Sequence, residues 1–111
     1  MEFKQLTQKA KAIKRAYDEH NRRSKKPIWT AETYVHGLVG DVGDLTKLMT
    51  AYLKDPRRAD PKKIRHELAD CLWSLIMIAQ ELNINLEDEL LINIDYLEQK
   101  LYEQTKGRSG R

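Results

Sequence analysis

Residues 66–82 read HELADCLWSLIMIAQEL, and the period of this stretch decides the fold. Leu68, Cys71, Leu72, Leu75, Ile76, Ile78, Ala79 and Leu82 recur at steps of three and four, the mark of an apolar helix face rather than a strand. Two acids, Glu67 and Asp70, interrupt it. Residues three apart share one helix side. A second pair of the same spacing, Asp41 and Asp44, stands in residues 37–52, GLVGDVGDLTKLMTAY. An unpaired carboxylate is costly to bury, so acids in an apolar pattern are expected to pair or to bind a cation.

Working outward, the spacing predicts four helices and no strand. Helix one spans about 2–22, on Phe3, Leu6, Ala10, Ile13 and Tyr17. A polar connector, NRRSKKP, ends at Pro27. Helix two spans 31–54, with Thr30 as N-cap, Glu32 in the positive first turn, and Asp55-Pro56 as its stop. Helix three spans 61–82 from an Asp60 cap with Pro61 at the first helical position. As the most apolar segment it is expected at the centre. Asn83-Ile84-Asn85 is a turn in which Asn85 caps toward Asp88. Helix four spans 86–105 on Leu90, Leu91, Ile94, Leu97 and Leu101, and residues 106–111 are expected to be a disordered tail. Short connections favour antiparallel neighbours. The expected fold is therefore all-α, an antiparallel four-helix bundle in one domain over residues 1–105.

The chain has 111 residues, of which 41% are hydrophobic, enough for one domain. A helical chain this small buries only part of its surface, so a partner subunit is expected. The lone Cys71 excludes an internal disulfide framework and suits a reducing cytoplasm; its apolar neighbours suggest a core thiol. No apolar run has the length of a membrane span, and MEFKQLTQKAK lacks a secretory core. The net charge is +3, with lysines and arginines crowding the first quarter. A solvated helix face accounts for them, as does attraction of a nucleotide triphosphate. No reading element for duplex nucleic acid accompanies the charge.

The two acid pairs lie at similar distances from the loop near residue 57. Antiparallel helices can then place Asp44 near Glu67 and Asp41 near Asp70, as one shared site. Carboxylates alone suit Mg²⁺ or Mn²⁺. Zinc would want Cys or His, and a di-iron bundle would want Glu-x-x-His pairs; neither set is present. Gly37, Gly40 and Gly43 form a bare strip along helix two, each at a cost of about 1 kcal/mol against Ala. The strip suits close helix packing, or backbone clearance for a ligand beside the cation.

These stretches, GLVGDVGDLTKLMTAY and HELADCLWSLIMIAQELNINLEDEL, resemble the MazG-like nucleotide pyrophosphohydrolases of the all-α NTP-pyrophosphatase superfamily. The resemblance covers about residues 29–103. The family signature is Glu-Glu-x-x-Glu, a spacer, then Glu-x-x-Asp, and HELADCLWSL matches best. The resemblance implies a helical bundle assembled as a homodimer or homotetramer. It also implies Mg²⁺-dependent hydrolysis of a nucleoside triphosphate to the monophosphate and pyrophosphate. Carried across, Asp41, Asp44, Glu67 and Asp70 would be metal ligands and catalytic. This chain departs from the signature at Gly40, where the family has its first Glu, and in carrying Asp at 41 and 44. Before Glu67 it has His66, where relatives often have an acid. The expected chemistry is metal-assisted attack of water at the α-phosphorus, which asks little of the protein beyond positioning and charge.

Lys47, three residues after Asp44, and Lys54 are candidate phosphate contacts, and Arg57, Arg58, Lys63 and Arg65 are weaker ones. Trp29 could stack on a base or dock helix two. His66 could assist at the site. Asn93 and Asp95 could close it from helix four. Two other readings stay open: a bundle that binds nucleotide or metal without turnover, and a helical interaction protein using its basic first helix.

Overall fold

The computed structural model describes residues 1–109, with side chains through residue 106. It is all-helical: α1 (Phe3–Arg23), α2 (Ala31–Lys54), α3 (Pro61–Glu81) and α4 (Leu86–Ser109), with a single 3₁₀ turn, Pro56–Arg58, between α2 and α3. The caps fall where the sequence puts them. Thr30 Oγ1 accepts from the Thr33 amide, Asp60 accepts from the Lys62 amide beside Pro61, and Asn85 Oδ1 accepts from the Asp88 amide. The 3₁₀ turn follows from Asp55, whose carboxylate accepts from the Arg57 amide and guanidinium, both at 3.1 Å. Helix α4 runs to Ser109, past the end expected at 105; Gly110 and Arg111 of the expected tail lie outside the described residues.

Helix α3 is central, as its apolarity predicts. It packs along α2 and, less extensively, against α1. Met77, at 0% exposure, sits among Ala10, Tyr34 and Ile76, with Phe3, Trp73, Ile78 and Leu86 packed around it. Polar ties hold α1 to α3: Gln80 Nε2 donates to the Thr7 carbonyl at 2.9 Å, and Lys14 bridges Asp18 and Glu81. Burial pulls the Lys14 ammonium down, but its hydrogen bonds to the two carboxylates outweigh this and raise it above the usual lysine value. At the start of α2, Tyr17 stacks on Trp29 at a centroid separation of 5.7 Å, and Trp29 meets Tyr34 edge to face at 6.0 Å.

Helix α4 corrects the expectation of four helices packed within one chain. Only its first turn, at Leu86, reaches the core, and it packs along none of the other helices to a comparable extent. The molecule measures 67 × 39 × 27 Å. That long axis is close to α3 and α4 laid end to end, at about 1.5 Å per residue. Leu68, Leu72 and Leu75, expected in the core, are exposed. No helix among the described residues is long and apolar enough to cross a membrane.

Candidate metal centre

Helices α2 and α3 are joined by a short turn and lie along each other, which carries the two acid pairs to one level. Asp41, Glu67 and Asp70 converge, each offering a carboxylate oxygen within 4.8 Å of the others, and all three are half-buried. Asp44 is the exception to the expected four. It is exposed and stands outside this cluster, on the wall of an adjoining cleft that Glu67 also lines. Helical phase accounts for the split: Asp41 faces α3 squarely, while Asp44 lies 60° around the axis toward solvent.

Glu67 is the strained member. Its Oε2 is inaccessible and has no hydrogen-bond partner. Desolvation raises its carboxyl above the ordinary value of 4.5, reinforced by the charges of Asp41, Asp44 and Asp70 and opposed by His66. A group that holds its proton more tightly when folded makes stability fall as pH rises through its titration range. The metal-free protein should therefore lose melting temperature as pH climbs upward from about 4, the ordinary glutamate range, through this group. Thermal melts across that range should show the slope, and it should shrink when Mg²⁺ is added.

His66 is exposed and pairs with Asp70 through Nε2 at 3.1 Å. Cys71 is half-buried rather than a core thiol. Desolvation raises its thiol, as do Asp41, Glu67 and Asp70, so it is the neutral form that adjoins the acids. The cleft beside the acids has a volume of about 700 Å³ and is lined by Asp44, Lys47, Leu48, Asp60, Lys62, Lys63, His66 and Glu67. Lys47, His66 and Lys63 thus take the expected place near the acids. Lys62 was not among the sequence candidates. The signal for the cleft lay in Lys63, four residues before Glu67 and hence on its face.

Other candidates are not brought here. Trp29 stacks on Tyr17, ahead of α2. Asp41 lies ten residues into that helix, about 15 Å further along. Lys54 does not line the cleft, and Arg57 and Arg58 pair with Asp55 instead. Asn93 and Asp95 are exposed on α4. The glycine strip also differs from expectation, because a Cβ at Gly37, Gly40 or Gly43 would meet nothing within 4 Å. Close packing within the chain is not its reason. Gly40→Ala should accordingly stabilise the chain by about 0.5–1 kcal/mol through helix propensity, as read by urea denaturation.

Comparison of the chain with family models, with curated proteins and with solved structures found no match.

Proposed function

We propose that the protein is a Mg²⁺-dependent nucleoside triphosphate pyrophosphohydrolase of the MazG-like kind, with Mn²⁺ as an alternative cofactor. The observation that supports it is the convergence of Asp41, Glu67 and Asp70 beside a cleft lined by Lys47, Lys62 and Lys63. The donor set fits the ion. All three groups are hard oxygen donors, and Glu67 Oε2 is a buried acceptor with nothing donating to it. Asp41, Glu67 and Asp70 would hold the cation, with Asp44 facing it from the cleft wall. When bound, Mg²⁺ supplies Lewis acidity and neutralises phosphate charge.

The chain's own residues then have distinct tasks. The three lysines draw the triphosphate into the cleft and hold its oxygens. His66 fixes the orientation of Asp70 through their close charge contact. In the reaction, a water oxygen joins the α-phosphorus and the α–β anhydride bond breaks. Pyrophosphate departs, and the water proton passes to solvent or a neighbouring carboxylate. The same reading includes a homodimer or homotetramer, because Met77 with Ala10, Tyr34 and Ile76 is a thin core for a chain of this length. A cytoplasmic setting accompanies it.

A pyrophosphate-release screen over canonical and modified (d)NTPs with Mg²⁺ or Mn²⁺ tests the proposal. Turnover that falls in Asp41→Asn and Lys47→Ala supports it. No turnover, together with unchanged metal binding in Asp44→Ala and Glu67→Ala, overturns it. The second reading, a module that binds nucleotide or metal without turnover, draws on Gly40 and on Asp44 standing outside the cluster. Calorimetric binding with no product would favour it.

A further inference from the structure

We propose that α4 packs in trans, against the apolar face that α2 and α3 of a second copy of this chain present together. Leu90, Ile94, Leu97 and Leu101 recur at steps of four and three along α4, and all are about half exposed. A stripe of that spacing is the seam of a helix made to pack on others. Its own chain offers no partner beyond the first turn.

The receiving face is on the same molecule. Val35, Val39 and Val42 each follow by one residue the positions of α2 that face α3, namely Tyr34, Leu38 and Asp41. Leu68, Leu72 and Leu75 stand in the same relation to the α3 positions that face α2. In an antiparallel pair, one step past the inward position rotates both helices toward the same side. The two stripes therefore form one exposed surface. It extends for about 10 Å along the helices, within the roughly 16 Å of the α4 seam.

One observation makes a second copy, rather than this chain's own α4, the occupant: the turn between α3 and α4 is locked. Asn83 adopts φ 55°, the Ile84 amide donates to the Ala79 carbonyl at 2.8 Å, and Asn85 caps Asp88 at 3.1 Å. This C-cap and N-cap, back to back, aim α4 away from its own α2 and α3.

Reciprocal exchange gives a two-fold dimer. Each α4 with its receiving face brings on the order of 700 Å² of apolar surface per copy, near the ~800 Å² per partner of a stable interface.

The inference rests on the self-association in the proposed function, but not on its chemistry. The test uses the full chain with a photo-reactive benzoylphenylalanine at the exposed Leu97 position. Unlabelled and heavy-nitrogen-labelled chains are mixed and irradiated, the mass is read by sedimentation, and the cross-links are mapped by mass spectrometry. A doubled mass with heavy-to-light cross-links into α2 and α3 is the expected result. A doubled mass with cross-links confined to one chain, or joining α4 only to α4 or α1, overturns the α4 exchange and leaves self-association standing. A monomer overturns both.

Discussion

Glu67→Gln is expected to lower pyrophosphate release by on the order of 100-fold or more, and at the same time to raise the melting temperature of the metal-free protein. The two effects have one cause. Glu67 Oε2 is inaccessible and unpartnered, and its neighbours are three acids. Without a cation that arrangement is unfavourable, and an amide relieves the repulsion. With a cation the same oxygen becomes a ligand, and the amide gives up most of its attraction. A ligand at 100 times its Kd stabilises the folded state by about 2.7 kcal/mol, on the order of 10 °C for a domain of this size. Wild type should show such a shift with Mg²⁺, and Glu67→Gln should lose most of it. Unchanged turnover together with a lower metal-free melting temperature would show that Glu67 is a structural acid.

Met77→Ala is expected to have the largest effect on stability. Met77 lies where α1, α2 and α3 meet and is closed off completely from solvent. Truncating a buried methionine costs about 2–5 kcal/mol, depending on how far the neighbours collapse. Small domains have about 5–15 kcal/mol in total. The loss should appear as a fall of roughly 10–20 °C in melting temperature. Met77→Leu conserves volume and should cost less than about 1.5 kcal/mol. Urea denaturation of the two variants separates a cavity effect from a shape effect. If both lie within error of wild type, Met77 is not the keystone of this core.

Most of the helical layout was legible because it is written locally. Thr30, Asp60 with Pro61, and Asn85 are capping signals that act over three residues, and each appears in the structure with its hydrogen bond. The convergence of Asp41 with Glu67 and Asp70 was legible for a related reason: one short turn joins their helices, so chain distance converts to height. The failures concern direction around an axis. Asp44 and Asp41 share a side in the i,i+3 sense, yet the 60° between them separates a converging acid from one on the cleft wall. Leu68, Leu72 and Leu75 obey the same periodicity as Ile76 and Ala79, but only the latter pair is buried within the chain. Periodicity reports that a face is apolar and is silent on whether its partner belongs to the same chain. Trp29 was ambiguous between base and helix, and its stack on Tyr17 is a tertiary contact that no local rule contains.

The three-residue bend at Asn83–Asn85 is also a lever. Helix α4 is 24 residues long, with its free end about 36 Å from the bend. A rotation of about 10° at Asn83 sweeps that end through about 6 Å, more than one helical turn. One residue with positive φ therefore sets the aim of the whole arm. Exchanging Asn83 for a residue that resists that conformation would redirect the arm without touching a side chain along its length.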